Sequence, residues 1–159
     1  MSEPSLRLRD MFTGEEAALW ALFHATIHSV NAKHYSPQQL AAWSPKDRDM
    51  AQWAKRMQSV APFVVVAADE IVGFSDLQAD GLVDFMFVHT AWQGRGVATL
   101  LMSEIEKRAA DLELSNLYAH VSVTARPFFE SQGFEVEHEQ SVRANGVSLS
   151  NFYMIRNLR

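Results

Sequence analysis

Gln93-Gly94-Arg95-Gly96-Val97-Ala98 decides how this 159-residue chain is read. The stretch follows the apolar run Leu82 to Val88 and opens an amphipathic helical pattern. Two glycines at a strand-to-helix turn let a ligand approach the backbone closely. The N–H groups of a first helical turn have no partner inside the helix, and with the helix dipole they favour an anion such as phosphate. The segment therefore points to a phosphorylated cofactor. A dinucleotide fingerprint fits poorly. Its third glycine would fall at position 99, which is Thr99, and the next strand ends His120-Val121-Ser122 with no acidic residue for a ribose. A Walker loop fails too, because no Gly-Lys-Ser/Thr follows.

Working outward, Phe63 to Ala68 predicts a buried strand, Asp69-Glu70 a turn and Ile71 to Leu77 the returning strand. With Leu82 to Val88 these make an antiparallel meander, because their connections are short. Leu6 to Arg9 predicts a first strand. Beyond the glycines, Val97, Leu101, Ile105, Ala109 and Leu112 fall on one helical stripe, and Asn116 to Ser122 returns as a strand. The two strands flanking that helix should be parallel. Pro127 belongs in the first turn of a short helix, with Thr124 as its N-cap and Gly133 as its C-terminal cap. Val136–Val142 and Val147–Ile155 flank Asn145-Gly146, a hairpin signal. The front third is helical. Thr13-Gly14-Glu15-Glu16 reads as a capping box for a helix to about Val30, with Leu19, Phe23 and Ile27 on its apolar stripe. Ser36-Pro37-Gln38-Gln39 and Ser44-Pro45 mark two further helix starts, the second leading into Met50 to Ala54.

Composition narrows the function. A length of 159 residues with 48% hydrophobic and 21% charged residues suits one soluble domain spanning 1–159. The net charge of −5 argues against binding to nucleic acid or an anionic membrane, so an anionic ligand must be held by local backbone dipoles. The chain has no cysteine, which excludes disulfides, thiolate metal sites and a cysteine nucleophile. No stretch approaches the roughly 18 apolar residues of a membrane span, and the polar start Met1 to Arg9 lacks the apolar core of a signal peptide. The cytoplasm is the default location. A homodimer is left open.

The motif and the order of elements together resemble a family. Residues from about Val64 to Phe134 resemble the GNAT superfamily of acetyl-CoA-dependent N-acetyltransferases, on Val88-His89-Thr90-Ala91-Trp92-Gln93-Gly94-Arg95-Gly96-Val97-Ala98 and on Ala125-Arg126-Pro127-Phe128-Phe129-Glu130-Ser131-Gln132-Gly133-Phe134. The resemblance implies an α/β fold with an α+β mixed sheet, mostly antiparallel, and a parallel strand–helix–strand unit at the cofactor site. It implies transfer of an acetyl group from acetyl-CoA, without a metal, to a primary amine of a small molecule or peptide. By position, Val88 would offer backbone groups to the pantetheine arm and thioester. Gln93, Gly94, Arg95, Gly96, Val97, Ala98 and Thr99 would surround the diphosphate, and Ser122 and Phe129 would flank the far side. Phe129 stands where many relatives carry a tyrosine that protonates the departing thiolate, and phenylalanine has no proton to give. Tyr153 or a water is then the alternative donor, and a non-catalytic acyl-CoA-binding module stays open beside the enzyme.

Several side chains admit two readings each. Asp84 is the one charged residue in Leu82–Val88, and period-two alternation puts it on the face of Met86 and Val88. There it is a candidate acceptor for the amine's proton, or else a strand-end residue bonded to its neighbours. His24 and His28, four apart, have zinc-like spacing, but Ala25 stands where the metalloprotease motif has glutamate. Tyr35, Trp43 and Trp53 suit either an acceptor pocket or the core. Arg143, Asn151 and Tyr153 lie on the last hairpin, within reach of an acceptor or facing solvent.

Overall fold

The computed structural model describes residues 4–159; Met1 to Glu3, the start of the polar N-terminal stretch, lie outside the described residues. At its centre is β2 (Phe63–Ala67), buried along its whole length. Strand alternation sends Phe63, Val65 and Ala67 into one apolar cluster and Val64 and Val66 into another on the opposite face. β1 (Leu6–Asp10) and β3 (Glu70–Ser75) flank β2 antiparallel, and β4 (Met86–Val88) extends β3. The β2–β3 turn uses Ala68 and Asp69, both at positive φ, one residue earlier than expected.

A second antiparallel sheet runs β5-β7-β6, with β5 (Asn116–Ser122), β6 (Glu135–Ala144) and β7 (Val147–Asn157). The expected hairpin joins β6 to β7 through Asn145-Gly146. Among the described residues, one parallel bridge, Leu82 to Tyr118, connects the two sheets. Val83 N–H donates to Tyr118 C=O (2.9 Å), and Tyr118 N–H donates to Gly81 C=O (3.0 Å). Past that point β4 and β5 share no ladder.

α4 (Val97–Asp111) and α5 (Arg126–Ser131) cover the Phe63 face. Val97, Leu101, Ile105 and Ala109 are buried as the stripe required, but Leu112 lies beyond the helix end and is half exposed. α1 (Glu16–Ser29), α2 (Pro37–Trp43) and α3 (Met50–Val60) cover the Val64 face. Trp53 is core: it is buried against Phe23 and Phe85, and its Nε1–H donates to Glu16 C=O (2.7 Å).

Three helix starts differ from expectation. α1 begins at Glu16 with Glu15 as N-cap, and Thr13 caps nothing. Arg9 of β1 holds the Glu15 carboxylate by two bonds (2.9 and 2.8 Å), which fixes that residue ahead of the helix. Glu16 reaches back, but to Gly14 N–H (2.7 Å). α3 is capped by Asp49, whose Oδ1 accepts from Ala51 and Gln52 N–H, and not by Ser44. Ser44 is buried at the end of α2, where its side chain pairs with His24 Nδ1 (2.6 Å) and its carbonyl accepts from His28 Nε2 (2.8 Å). The histidine pair thus ties α1 to the end of α2. α5 has Ala125 as N-cap, whose N–H donates to Ser122 Oγ (3.0 Å), while Thr124 pairs with His34. The capping box Ser36–Gln39 is present as read.

Candidate active site

The run Leu82–Val88 is not one regular strand. Asp84 and Phe85 N–H both donate to the same oxygen of Asp76, at 2.9 and 2.7 Å. Two consecutive amides turned to one side make a bulge. Ser75 Oγ–H adds a bond to Phe85 C=O (2.5 Å). The bulge reverses the alternation expected for Asp84. Val83, Met86 and Val88 pack toward α4, whereas Phe85 and Phe87 pack toward α1 and α3. Asp84 falls on the α3 side, where its carboxylate is ion-paired with Arg56. Its position opposite Met86 and Val88 is therefore a correction to the period-two reading.

The bulge also aims the end of β4. His89 N–H donates to Val72 C=O (2.8 Å), so antiparallel alternation turns the N–H and C=O of Val88 away from β3 and toward β5. No strand meets them there. Val88 C=O is held instead by Thr26 Oγ1 (3.1 Å) and Gln93 Nε2 (2.7 Å). Between β4 and β5 lies a cavity of about 410 Å³. Ala119 and Val121 line it from the α4 face of β5, and His120 and Ser122 line it from the other face. The cavity therefore passes through the plane of the sheet.

At the α4 side of this gap the glycines form the turn that opens a helix, as read from the sequence. Gly94 and Gly96 have φ of +70° and +86°, and Gly96 is the N-cap of α4 with no side-chain cap. The first intrahelical bond runs from Leu100 N–H to Gly96 C=O, which leaves the N–H groups of Val97, Ala98 and Thr99 without a helical acceptor. Gly73 of β3 lets this helix end sit close, since a Cβ there would lie 2.6 Å from Val97 Cγ1. Gln93, Ala98, Ser122 and Phe129 line the cavity with Val88. The side chain of Val97 is buried in the core and Thr99 is exposed, so either would contribute its amide. Arg95 lies over Trp92, 3.7 Å from the ring centre.

Opposite, Tyr35 and Trp43 form cavity wall. Tyr35 Oη accepts Val123 N–H (3.0 Å) and donates to Ser150 C=O (2.7 Å), bridging β5 and β7 one step past their last pair, Ser122–Asn151. Burial pushes its phenol pKa above the ordinary value. Asn151 also lines the cavity, and its buried Oδ1 has no hydrogen-bond partner among the described residues. Tyr153 does not line it. Its ring packs against His120, which does line the cavity, and against His138 and Tyr118. Arg143 closes the hairpin by donating to Gly146 C=O. Sequence reasoning missed Asp76, which is fully buried. Burial, only partly offset by Gln78 and the two amides, pushes its pKa up to about 6.

A cavity lined from both faces of a split sheet, with an open helix N-terminus at its side, suits an α/β protein that holds an anionic, elongated ligand through the sheet. The chain belongs to the GNAT superfamily of N-acetyltransferases: the acetyltransferase (GNAT) domain matches residues 31–155. It is 30% identical over 150 residues, 94% of this chain and 95% of the relative, to the uncharacterised N-acetyltransferase YafP of Escherichia coli (strain K12). Its fold matches a GCN5-related N-acetyltransferase from Rhodopseudomonas palustris at TM-score 0.93, with 29% identity and 99% of each chain covered. It also matches the PaiA N-acetyltransferase of Thermoplasma acidophilum in complex with coenzyme A, at TM-score 0.76 and 15% identity, over 96% of this chain and 99% of that one. Among the described residues no helix is long and apolar enough to cross a membrane, and no three His, Asp or Glu side chains form a metal-binding group.

Proposed function

We propose that the protein transfers the acetyl group of acetyl-CoA directly to a primary amine. The observation that carries this reading is the uncapped N-terminus of α4 beside a cavity that crosses the sheet. The amides of Gly94 to Thr99 hold the diphosphate, and Ser122 and Phe129 border the pantetheine arm. The acetyl carbonyl meets the N–H of Val88, which has been turned out of the β3 ladder, and that donor stabilises the oxyanion of the tetrahedral intermediate. The neutral amine attacks from the α1–α2 side. Its nitrogen bonds to the carbonyl carbon, the carbon–sulfur bond breaks, and the electron pair leaves on sulfur. Asp84 takes the amine's proton, directly or through water.

The thiolate needs a donor other than Phe129, and Tyr153 stands outside the cavity. Ser122 is placed to hydrogen-bond it: its Oγ accepts from Ala125 N–H and Asn31 Nδ2, which leaves the hydroxyl hydrogen free among the described residues to stabilise the thiolate. The sulfur takes its proton from solvent. No covalent enzyme intermediate is needed. Much of the rate comes from holding the two reactants together.

Saturating acetyl-CoA should raise the melting temperature, since it binds the folded chain. Thiol release should require both protein and amine. Release without amine, or no thermal shift, would end this reading. D84N should lower kcat by roughly 100-fold or more if Asp84 takes the proton, with the KM for acetyl-CoA unchanged.

A further inference from the structure

The wall of the cavity on the α1–α2 side carries information about the amine itself. Phe23, Tyr35, Trp43, Phe85, Phe87 and Leu149 give that wall an aromatic and aliphatic surface. Among the described lining residues there is neither lysine nor arginine, and Asp84 is the one carboxylate. Arg56 of α3 is ion-paired with Asp84, is more than half exposed, and is not among the lining residues. Of the other titratable lining groups, His120 pairs with Gln140 and Tyr35 is bonded to Val123 N–H and Ser150 C=O. Asn151 lines the cavity too, but its amide oxygen is buried away from the open space.

Resting on the acetyltransferase reading, we infer that the acceptor is an apolar, aromatic-sized primary amine with no acid group near its nitrogen. The amine end is recognised by the Asp84 carboxylate, and the body packs on the aromatic wall. A carboxylate on the carbon beside the amine, as in an amino acid, would meet Asp84 at close range with no cation assigned to it. A polyamine or aminoglycoside would bring further cations and hydroxyls onto a surface that offers them few partners.

The test uses the full chain and three probes that share a phenyl ring: 2-phenylethylamine, L-phenylalanine and L-phenylalaninamide. Thiol release is followed with acetyl-CoA, and binding to the protein saturated with coenzyme A is followed by calorimetry. The inference expects kcat/KM for 2-phenylethylamine to exceed that for phenylalanine by roughly 100-fold, with the amide, which lacks the negative charge, falling between them. It also expects W43A to raise the KM for 2-phenylethylamine about tenfold while leaving the acetyl-CoA-induced melting shift intact. Phenylalanine used as well as or better than 2-phenylethylamine would overturn it and would assign Arg56 to the substrate carboxylate. Acetylation of a polyamine such as spermidine in preference to all three would overturn it too. If acetyl-CoA raises the melting temperature but none of the three probes binds or reacts, the acceptor class is wrong and the transferase reading survives. If acetyl-CoA itself does not bind, both fall.

Discussion

Asp76 is a carboxylate without solvent contact, kept there because two backbone amides need one acceptor. Its pKa is about 6 in the fold against 3.8 for an ordinary aspartate. Between those values the folded chain binds the proton more tightly than the unfolded chain. The contribution of this group to stability therefore falls as pH rises from about 4 to 6 and stays low above that. At about 1.4 kcal/mol per pH unit the loss is on the order of 3 kcal/mol. D76N keeps an acceptor oxygen and cannot ionise. It should be more stable than the parent at pH 7, and the difference should vanish near pH 4, as measured by denaturant unfolding across that range. D76A should be less stable at every pH, by about 1–3 kcal/mol for each amide left unpaired. Ser122 makes a separate kinetic prediction. If its hydroxyl serves the thiolate, S122A should lower kcat by roughly 100-fold with little change in the KM for acetyl-CoA. If it only caps α5, both parameters should move together.

At the scale of elements, the start of α4 is the part that was legible. Gly94 and Gly96 sit at positive φ with open space where a Cβ would be, so the demand on them is conformational and local, and local demands show in sequence. The hairpin at Asn145-Gly146 and the capping box of α2 were readable for the same reason. The bulge in β4 was not. Its cause is a side chain eight residues away whose carboxylate meets Asp84 N–H through space, and no period along the strand announces it. The start of α1 was hidden similarly, because Arg9 of a different element fixes Glu15. The backbone geometry of the proposed cofactor side was therefore visible in advance. The acceptor side was visible only as a handful of aromatic residues and a misplaced Asp84. Two glycine variants separate conformation from packing. G96V should weaken acetyl-CoA binding by straining the turn, while the core stays intact. G73A should destabilise the fold by about 1–3 kcal/mol, because its new methyl meets Val97 and forces α4 off the sheet. Calorimetric titration with coenzyme A and thermal melting distinguish the two.

On the scale of the molecule, two apolar clusters grip opposite faces of the sheets, and the sheets themselves meet through a few bonds at Gly81, Val83 and Tyr118. Such a joint behaves like the spine of a book whose pages are free to part. Hydrogen exchange should reveal it directly. The amides of Val83 and Tyr118, at the spine, should exchange slowly with or without ligand. The amide of Val88, which faces the opening with no strand across from it, should exchange quickly in the empty protein and become protected when acetyl-CoA lies between the pages. The thioester would then act as a temporary eighth strand, and the protein would be most rigid at the moment it is ready to react.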